Sequence, residues 1–398
     1  MAFFQVAGYT QTDGTLGTVR EVLLLCWRDT RHPQGGGSEL YLERVGEELA
    51  ARGVRVTLRT AMYPGAARFE TVRGVRISRG GGRFTVYPLA LLAIVLARFG
   101  RGPLRGIRPD AVIDTQNGIP FFARLVAGVP VTVLVHHCHR EQWPVAGRLV
   151  ARVGWFIESR LSPWLHRRSQ YLTVSLPSAE ELALLGVGPE RVAVVRNGID
   201  AVAPGVADVR SASPRMVVLS RLVPHKQIED ALDVLARLRR RVPDLHLDVI
   251  GSGWWDSELY AHAAKLGVLD RVTFHGHVTE QRKHRLLSRA WVHVMPSRKE
   301  GWGITVIEAA QHAVPTVGYV SSRGLTDSVV DGATGLLVRD LSGLTESVYT
   351  LLSDALLREE LGAKAQERAG EFSWPATADG VSRVLSASVA GERVGGLV

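Results

Sequence analysis

Residues 291–314 read WVHVMPSRKEGWGITVIEAAQHAV and pass from one element of regular structure to the next. The pattern predicts a strand over 291–295, a tight glycine-containing loop, and a helix over 304–313 with its apolar positions on one face. Two carboxylates, Glu300 and Glu308, lie on the two sides of the loop's Gly-Trp-Gly. Because a strand that leads through a short loop into a helix is the building unit of α/β proteins, this stretch favours that class.

The same alternation of short apolar runs and helical patterns extends along the chain. The predicted strands are 22–27, 54–59, 111–115, 131–136, 171–174, 192–195, 215–219, 245–250, 272–275, 291–295, 316–320 and 335–338. The predicted helices include 38–52, 228–241, 257–266, 280–288 and 304–313. Continuously apolar strands that alternate with helices predict parallel sheets covered on both faces.

A chain of 398 residues is long enough for two domains of ordinary size. Proline, glycine and serine break the pattern over 204–214, which we therefore predict to be a linker. We expect an extension over 1–18, an N-terminal domain over 19–203 and a C-terminal domain over 215–370. Both domains are predicted to be Rossmann-like, doubly wound parallel sheets that face each other, with the active site in the cleft between them.

Composition is that of a folded globular protein, with 46 % hydrophobic and 22 % charged residues. The two cysteines, Cys26 and Cys138, are too few for a disulfide framework and indicate reduced thiols. No secretory signal is recognised at the N-terminus. The longest apolar run, 87–97, is 11 residues long and falls short of the roughly 20 needed to cross a bilayer. We therefore expect a cytoplasmic protein.

The net charge of +9 comes from the first 205 residues, which hold 25 arginines, no lysine and 16 acidic residues. A basic half usually indicates anionic partners. Its arginines are not interleaved with aromatic residues, so nucleic acid is not expected. Five arginines bracket the apolar run 87–97: Arg83, Arg98, Arg101, Arg105 and Arg108. Such a run either rests on an anionic membrane as a peripheral contact at its inner face, or is an ordinary buried helix.

The loop around the two glutamates is the first candidate binding element. Backbone amides at the start of the predicted helix would hold an anionic group. The residues concerned are Gly301, Trp302, Gly303, Ile304 and Thr305. A carboxylate such as Glu300 or Glu308 can accept hydrogen bonds from the hydroxyls of a sugar or ribose ring. The alternative is that both glutamates only complement the helix dipole or solvate the loop.

Two further loops carry groups that suit phosphates. In SRLVPHK, residues 220–226, the planar donor fork of Arg221 and the point charge of Lys226 match a pyrophosphate. In QGGGSE, residues 34–39, the amides at Gly36 and Gly37 can closely approach a phosphate or a substrate hydroxyl. The alternatives are a solvated basic loop and a flexible turn, and the second loop lacks the Walker A pattern.

Three histidines lie at the end of the predicted strand 131–136 or just after it, in the sequence VLVHHCH, residues 133–139. No second ligand cluster with suitable spacing accompanies them, so a metal site is not expected. The chain has no Asp-x-Asp, which also argues against a bound divalent ion. A histidine at the carboxyl end of a strand, such as His136, is better interpreted as a hydrogen-bond donor to a substrate.

Together and in this order, these motifs resemble those of the retaining glycosyltransferases of the GT-B fold, most closely family 4, whose C-terminal domain is named glycosyl transferases group 1. The resemblance spans roughly residues 20–375. It rests on EGWGITVIE, residues 300–308, which looks like the family's E-x7-E motif, on PS at 296–297, SRL at 220–222 with Lys226, NGID at 197–200, the glycines at 35–37, and DGATGLL at 331–337.

The resemblance implies catalytic roles for four residues. Glu300 should contact the sugar near the reacting centre, and His136 should approach the transferred sugar, although the adjacent His137 leaves the register open. Arg221 and Lys226 should neutralise the charge that builds on the leaving diphosphate, which is catalysis by preorganised electrostatics.

The resemblance also implies how a nucleotide-sugar donor is bound. Glu308 should hold the ribose hydroxyls, backbone near His277 and Val278 should meet the base, and the amides of 301–305 should hold sugar hydroxyls and phosphate. The implied reaction moves a hexose from a UDP- or GDP-linked donor to an acceptor hydroxyl through a front-side mechanism, with no cofactor and no metal. The acceptor is left open between a lipid-linked sugar and a soluble sugar or metabolite.

The sequence departs from the family pattern at Ala313, where glycine is common, a change that is tolerable if this helix end avoids positive φ. Residues 371–388 resemble the family's terminal helix that returns to the N-terminal domain. Two other functions stay open. A nucleotide-sugar 2-epimerase shares the fold but does not carry this E-x7-E with the arginine and lysine, and a non-catalytic nucleotide-sugar-binding module would not need them.

Overall fold

The computed structural model describes residues 19–140, 143, 147–202, 204–206 and 209–398. The chain divides into two compact units. Unit 1 comprises the chain up to Gly198 together with Trp374–Val398, and unit 2 is Ile199–Ser373. The predicted extension 1–18 lies outside the described residues.

Each unit is an α/β layer structure built on one sheet. The strands are β1 Glu21–Leu25, β2 Arg55–Thr60, β3 Phe69–Val72, β4 Val75–Arg79, β5 Ala111–Thr115, β6 Val131–Val135, β7 Gln170–Thr173, β8 Val192–Val194, β9 Arg215–Leu219, β10 His246–Ile250, β11 Val272–Gly276, β12 Val292–Met295, β13 Thr316–Tyr319, β14 Gly335–Val338 and β15 Gly396–Leu397. The helices are α1 Gly37–Ala51, α2 Val86–Arg98, α3 Arg148–Phe156, α4 Ser162–Leu165, α5 Leu176–Leu184, α6 Ile228–Leu238, α7 Asp256–Leu266, α8 Glu280–Arg289, α9 Ile304–Ala310, α10 Leu325–Ser328, α11 Leu341–Ser353, α12 Ala355–Ala369 and α13 Trp374–Ala390.

The sheet of unit 1 has the strand order β15-β8-β7-β6-β5-β1-β2-β4-β3, and that of unit 2 has the order β11-β10-β9-β12-β13-β14. All neighbouring strands pair in parallel except β3 and β4. The two doubly wound parallel sheets confirm the predicted fold class. Every predicted strand is present. A strand that is buried on both faces is a continuous run of apolar residues, and such a run can be recognised in the sequence.

The strands that the sequence did not predict lie at the edges of the unit 1 sheet. β3, FETV, and β4, VRISR, form an antiparallel hairpin in which polar and apolar residues are interspersed. Its turn, Arg73-Gly74, has φ of 46° and 82°, the left-handed pair that a two-residue hairpin requires. β15 is only two residues long, too short for a periodic signal.

The C-terminal helix α13 belongs to unit 1 and packs against α1. Arg52, the residue that ends α1, forms an ion pair with Asp379, and its Nη2 donates to the Pro375 carbonyl at 3.0 Å. The Trp374 ring lies edge-on to the ring of Tyr41, with centroids 6.3 Å apart. An ion pair and an aromatic contact therefore attach α13 to the rest of unit 1.

Part of the predicted linker 204–214 lies in unit 2 and is bonded to it. Arg210 donates to the His312 carbonyl at 3.0 Å, and the Trp291 indole donates to the Ser211 carbonyl at 2.8 Å. Within the described residues, every helix is too short or too polar to span a bilayer.

Helix α9 ends in a left-handed turn at Ala313, where φ is +51°. Its amide donates to the Ala310 carbonyl at 2.9 Å and the Val314 amide donates to the Ala309 carbonyl at 3.2 Å, the bond pattern of a Schellman cap. The condition for tolerating alanine here without strain, a helix end that avoids positive φ, is therefore not met. The helix also ends earlier than position 313, since the cap itself takes up the intervening residues.

We expect Ala313→Gly to stabilise the protein. An alanine in the left-handed region costs the folded state about 1–2 kcal/mol. Glycine removes that cost, but its greater freedom in the unfolded chain lowers the free energy of unfolding by about 0.4–1 kcal/mol. The net gain should raise the midpoint of thermal unfolding by about 2 °C. Ala310→Gly, inside the same helix, is the control and should lower the midpoint. A fall in the midpoint for Ala313→Gly would contradict the assigned backbone strain.

Candidate functional site

An ion pair joins two of the predicted catalytic residues in unit 2. The Lys226 ammonium contacts Oε1 of Glu300, and the two side chains are 13 % and 10 % exposed. Lys226 follows β9 and Glu300 follows β12, and these strands are parallel neighbours, so both loops leave the same edge of the sheet. The Arg298 amide donates to the His225 carbonyl at 2.9 Å and ties one loop to the other.

A strained turn holds the backbone of Glu300. Arg323 has φ of 58° and ψ of −64°, and the Gly324 amide donates to the Ser322 carbonyl at 2.7 Å, which together make a γ-turn of the rare, strained kind. The Glu300 amide donates to that same Ser322 carbonyl at 3.2 Å. A Cβ at Gly324 would lie 2.5 Å from the Glu300 carbonyl oxygen, so this approach requires glycine. Strain of this kind concentrates at functional sites.

The second carboxylate, Glu308 on α9, is paired with Lys283 on α8. Nζ of Lys283 lies 2.6 Å from Oε1 of Glu308 and 2.6 Å from Oε2 of Glu280. Burial alone would lower the pKa of Lys283, but the two carboxylates outweigh it and the net shift is upward. Lys283 is therefore a stable cation that holds the predicted ribose-binding carboxylate.

The loop between the two glutamates is anchored by Trp302. Its ring is 2 % exposed and packs edge-on to Phe372, with centroids 4.8 Å apart, so only its backbone is left to contact a ligand. Gly303 has φ of +98° and precedes α9, which begins at Ile304. The Thr305 hydroxyl lies 3.7 Å from the Met295 sulfur.

Other predicted donor-binding residues lie at the same sheet edge. Arg221 follows β9 and is exposed. His277 and Val278 follow β11; the histidine is exposed, and the valine is half-buried against the core. The parallel order β11-β10-β9-β12 brings the ends of these strands to one edge, together with the loops that carry Lys226 and Glu300.

In unit 1, the glycine loop is organised by Glu39, a buried residue that the sequence did not single out. Its carboxylate accepts hydrogen bonds from the Gly36 amide at 2.8 Å and Asn117 Nδ2 at 3.2 Å, and it pairs with Arg28 at 2.9 Å. The Gly36 amide is thus already engaged. Gly37, the first residue of α1, has open space where a side chain would stand.

His136 directly follows β6 and is buried. Its ring lies edge-on to Tyr41 at 5.4 Å, and its Nε2 has no hydrogen-bond partner among the described residues. Burial lowers the pKa of His136 to about 4, although Glu39 opposes the shift. The imidazole is therefore neutral near pH 7. Among the described residues, no group of three or more His, Cys, Asp or Glu side chains could hold a metal ion.

Sequence reasoning found Lys226 and Glu300, which the structure brings together, but missed the partners Lys283 and Glu39. Lysine is scarce in this chain, with five in all, and that scarcity was the available signal for Lys283. For Glu39, the signal was a glutamate three residues into a helix that begins at a glycine loop, the spacing of a capping box.

Two known protein families match this chain, one in each half. The profile of "Glycosyl transferases group 1" matches residues 206–368, and that of "Glycosyltransferase Family 4" matches residues 35–203. A glycogen synthase of Mycobacterium tuberculosis is 32 % identical over 304 residues, covering 73 % of this chain and 72 % of the relative.

A GDP-mannose-dependent alpha-(1-6)-phosphatidylinositol monomannoside mannosyltransferase of Mycolicibacterium smegmatis is 28 % identical over 377 residues, covering 89 % of this chain and 96 % of the relative. Among solved structures, Anabaena HepE in complex with UDP and glucose aligns with a TM-score of 0.69 at 19 % identity, covering 92 % of this chain and all of the other. This likeness concerns the fold.

We expect Lys283→Met to destabilise unit 2 by about 1–3 kcal/mol, because it leaves Glu308 buried without its cation. The double variant Lys283→Met with Glu308→Gln should recover most of that loss, which urea unfolding of the single and double variants would measure as a coupling energy. Lys364→Met removes an exposed pair with Glu360 and is the control, with an expected change below about 0.5 kcal/mol. Equal effects of both lysine variants would contradict the buried pair.

Proposed function

We propose that this chain, which belongs to the GT-B glycosyltransferases of the group 1 and family 4 type, is a retaining hexosyltransferase. In this proposal it moves a hexose from a UDP- or GDP-linked donor to an acceptor hydroxyl without a metal ion. The observation that carries it is the Lys226–Glu300 pair, which brings a cation and a carboxylate together at the sheet edge where ligands of such sheets bind.

The proposed step is a front-side displacement. The acceptor oxygen bonds to the anomeric carbon as the bond to the diphosphate oxygen breaks, and the acceptor proton passes to the departing phosphate. Lys226 and the exposed donor fork of Arg221 neutralise the charge on the leaving group. Glu300 accepts hydrogen bonds from sugar hydroxyls, and the strained turn at Arg323 keeps it in position.

Nucleotide recognition is assigned to Glu308 and to the backbone near His277. Glu308 would accept hydrogen bonds from the two ribose hydroxyls. Burial raises the pKa of Glu308, and its pairing with Lys283 opposes that shift and orients the carboxylate for this role. The amides of 301–305 would hold phosphate or sugar hydroxyls. The relatives support a UDP or GDP donor, since one is named as GDP-mannose-dependent and one neighbour was solved with UDP.

The acceptor is proposed to meet unit 1, where the neutral His136 imidazole can exchange hydrogen bonds with the transferred sugar. A lipid-linked acceptor is favoured over a soluble one because the mannosyltransferase relative is named for a phosphatidylinositol substrate. A lipid-linked acceptor would require a peripheral membrane contact, for which the basic unit 1 is suited by charge.

The donor class can be tested by thermal unfolding of the protein with UDP, GDP, ADP and their hexose conjugates in the presence of EDTA. We expect one nucleotide to stabilise selectively, by about 2.7 kcal/mol at a hundredfold excess over its dissociation constant. The shift should shrink in Arg221→Ala and persist in Arg240→Ala, a second arginine of unit 2 that lies at the end of α6. No shift with any nucleotide, or a shift only with added Mg²⁺, would contradict the proposed donor site.

Transfer itself depends on the central pair. Glu300→Gln and Lys226→Ala should each lower the release of nucleoside diphosphate from the donor so identified by about a hundredfold or more, because each removes electrostatic stabilisation of the transition state. Lys364→Ala should retain full turnover. Unchanged turnover in either site variant, at an unchanged unfolding midpoint, would overturn its role.

A further inference from the structure

Helix α3 has its apolar side chains on the outside. Leu149, Val153 and Phe156 are spaced as i, i+4 and i+7 and lie on one helix face, where they are 76 %, 51 % and 58 % exposed. Val150 is exposed next to them. An ordinary surface helix of a globular protein shows the opposite pattern, with its apolar stripe against the core.

The opposite side of the same segment faces the interior of unit 1, and its polar side chains form hydrogen bonds there. Glu158 is fully buried, where it accepts hydrogen bonds from the His139 amide at 2.9 Å and the Trp143 indole at 2.6 Å. The buried Ser162 donates to Gln116 Oε1 at 2.6 Å. Ile157–Leu161 form a π-helical turn that joins α3 to α4, so α3, Glu158 and Ser162 belong to one continuous helical segment. Rolling α3 to bury its apolar face would break these bonds and expose their partners, so the polar contacts fix the inverted orientation.

The exposed charged residues along this segment are all arginines. Five exposed arginines lie within residues 147–168: Arg148, Arg152, Arg160, Arg167 and Arg168. The sole acidic residue of that stretch is the buried Glu158. Trp164 is also exposed and has the Arg167 guanidinium 5.7 Å from its ring. Apolar side chains, arginines and an exposed tryptophan on one surface match the boundary between lipid headgroups and acyl chains.

The apolar run 87–97, which the sequence offered for membrane contact, is a weaker match. It forms α2, whose Val86, Ala90, Ala93 and Ile94 are buried in the core of unit 1. The alternative of an ordinary packed helix therefore describes its inner face, and only its outer side chains, such as Leu89 and Leu92, are exposed.

We infer that the α3 surface, defined as Leu149, Val150, Val153, Phe156 and Trp164 with the flanking arginines, docks unit 1 on an anionic lipid membrane. The apolar side chains enter the headgroup boundary and the arginines pair with lipid phosphates. Docking does not require the nucleotide-sugar donor to be bound. Its functional role rests on the proposed transfer to a lipid-linked acceptor.

The test is co-sedimentation of the full chain with vesicles of phosphatidylcholine, with and without phosphatidylglycerol. The wild type should bind the anionic vesicles, and more weakly as salt increases. Leu149→Glu and Phe156→Glu should each lower the partition coefficient by about tenfold, because each removes an apolar side chain from the membrane. Leu184→Glu, at an 81 % exposed leucine on α5, is the matched control and should bind as the wild type does.

Three results would overturn the inference. One is no binding of the wild type to anionic vesicles, and another is equal binding by Phe156→Glu. The third is a wild-type dimer, seen by light scattering, that Phe156→Glu converts to a monomer, since the α3 surface would then be a contact between two copies. The nucleotide-induced thermal shift, measured in the same variants, reports the donor site separately, so failure of docking and failure of the proposed function are distinguished.

Discussion

The contact between Lys226 and Glu300 joins loops 74 residues apart in sequence, and the candidate site of unit 2 is arranged around it. It forms only because β9 and β12 are parallel neighbours, so that both loops emerge at one edge. Taking two charges out of water costs about what their attraction returns, so such a pair contributes little net stability. The pair instead fixes the positions of the two side chains, because moving either one away would leave the other as a nearly buried, unpaired charge.

Strained backbone adjoins the segment 300–308 at two places. Arg323 adopts a γ-turn conformation against Glu300, and Ala313 caps the helix that carries Glu308 in a left-handed conformation that glycine would adopt more easily. Two residues next to the E-x7-E segment thus have backbone angles that non-glycine residues avoid, whereas the neighbouring strands are regular. Since real proteins break local rules chiefly at functional sites, this concentration supports the assignment of the site to this segment.

The sequence was sufficient where the signal is local. Apolar strands such as β5 and β9 were predicted to the residue, because burial on both faces requires a continuous apolar run. The β3–β4 hairpin was missed because polar residues interrupt the apolar residues in both strands. Lys283 was missed for another reason: its importance depends on α8 packing beside α9, a tertiary contact that no spacing in the sequence encodes.

Net charge is a similar case, because the number of arginines in unit 1 does not reveal which of them are available to a partner. Arg79 is buried against Asp29 at 2.5 Å, and Arg191 is buried with its Nη1 donating to two carbonyls, so both serve the fold. The arginines along α3 are exposed, and the nearest acid in sequence, Glu158, faces inward to Trp143. Because the fold uses the first kind internally and leaves the second kind exposed, only arginines of the second kind, such as those of the α3 surface, can contribute to binding an anionic partner.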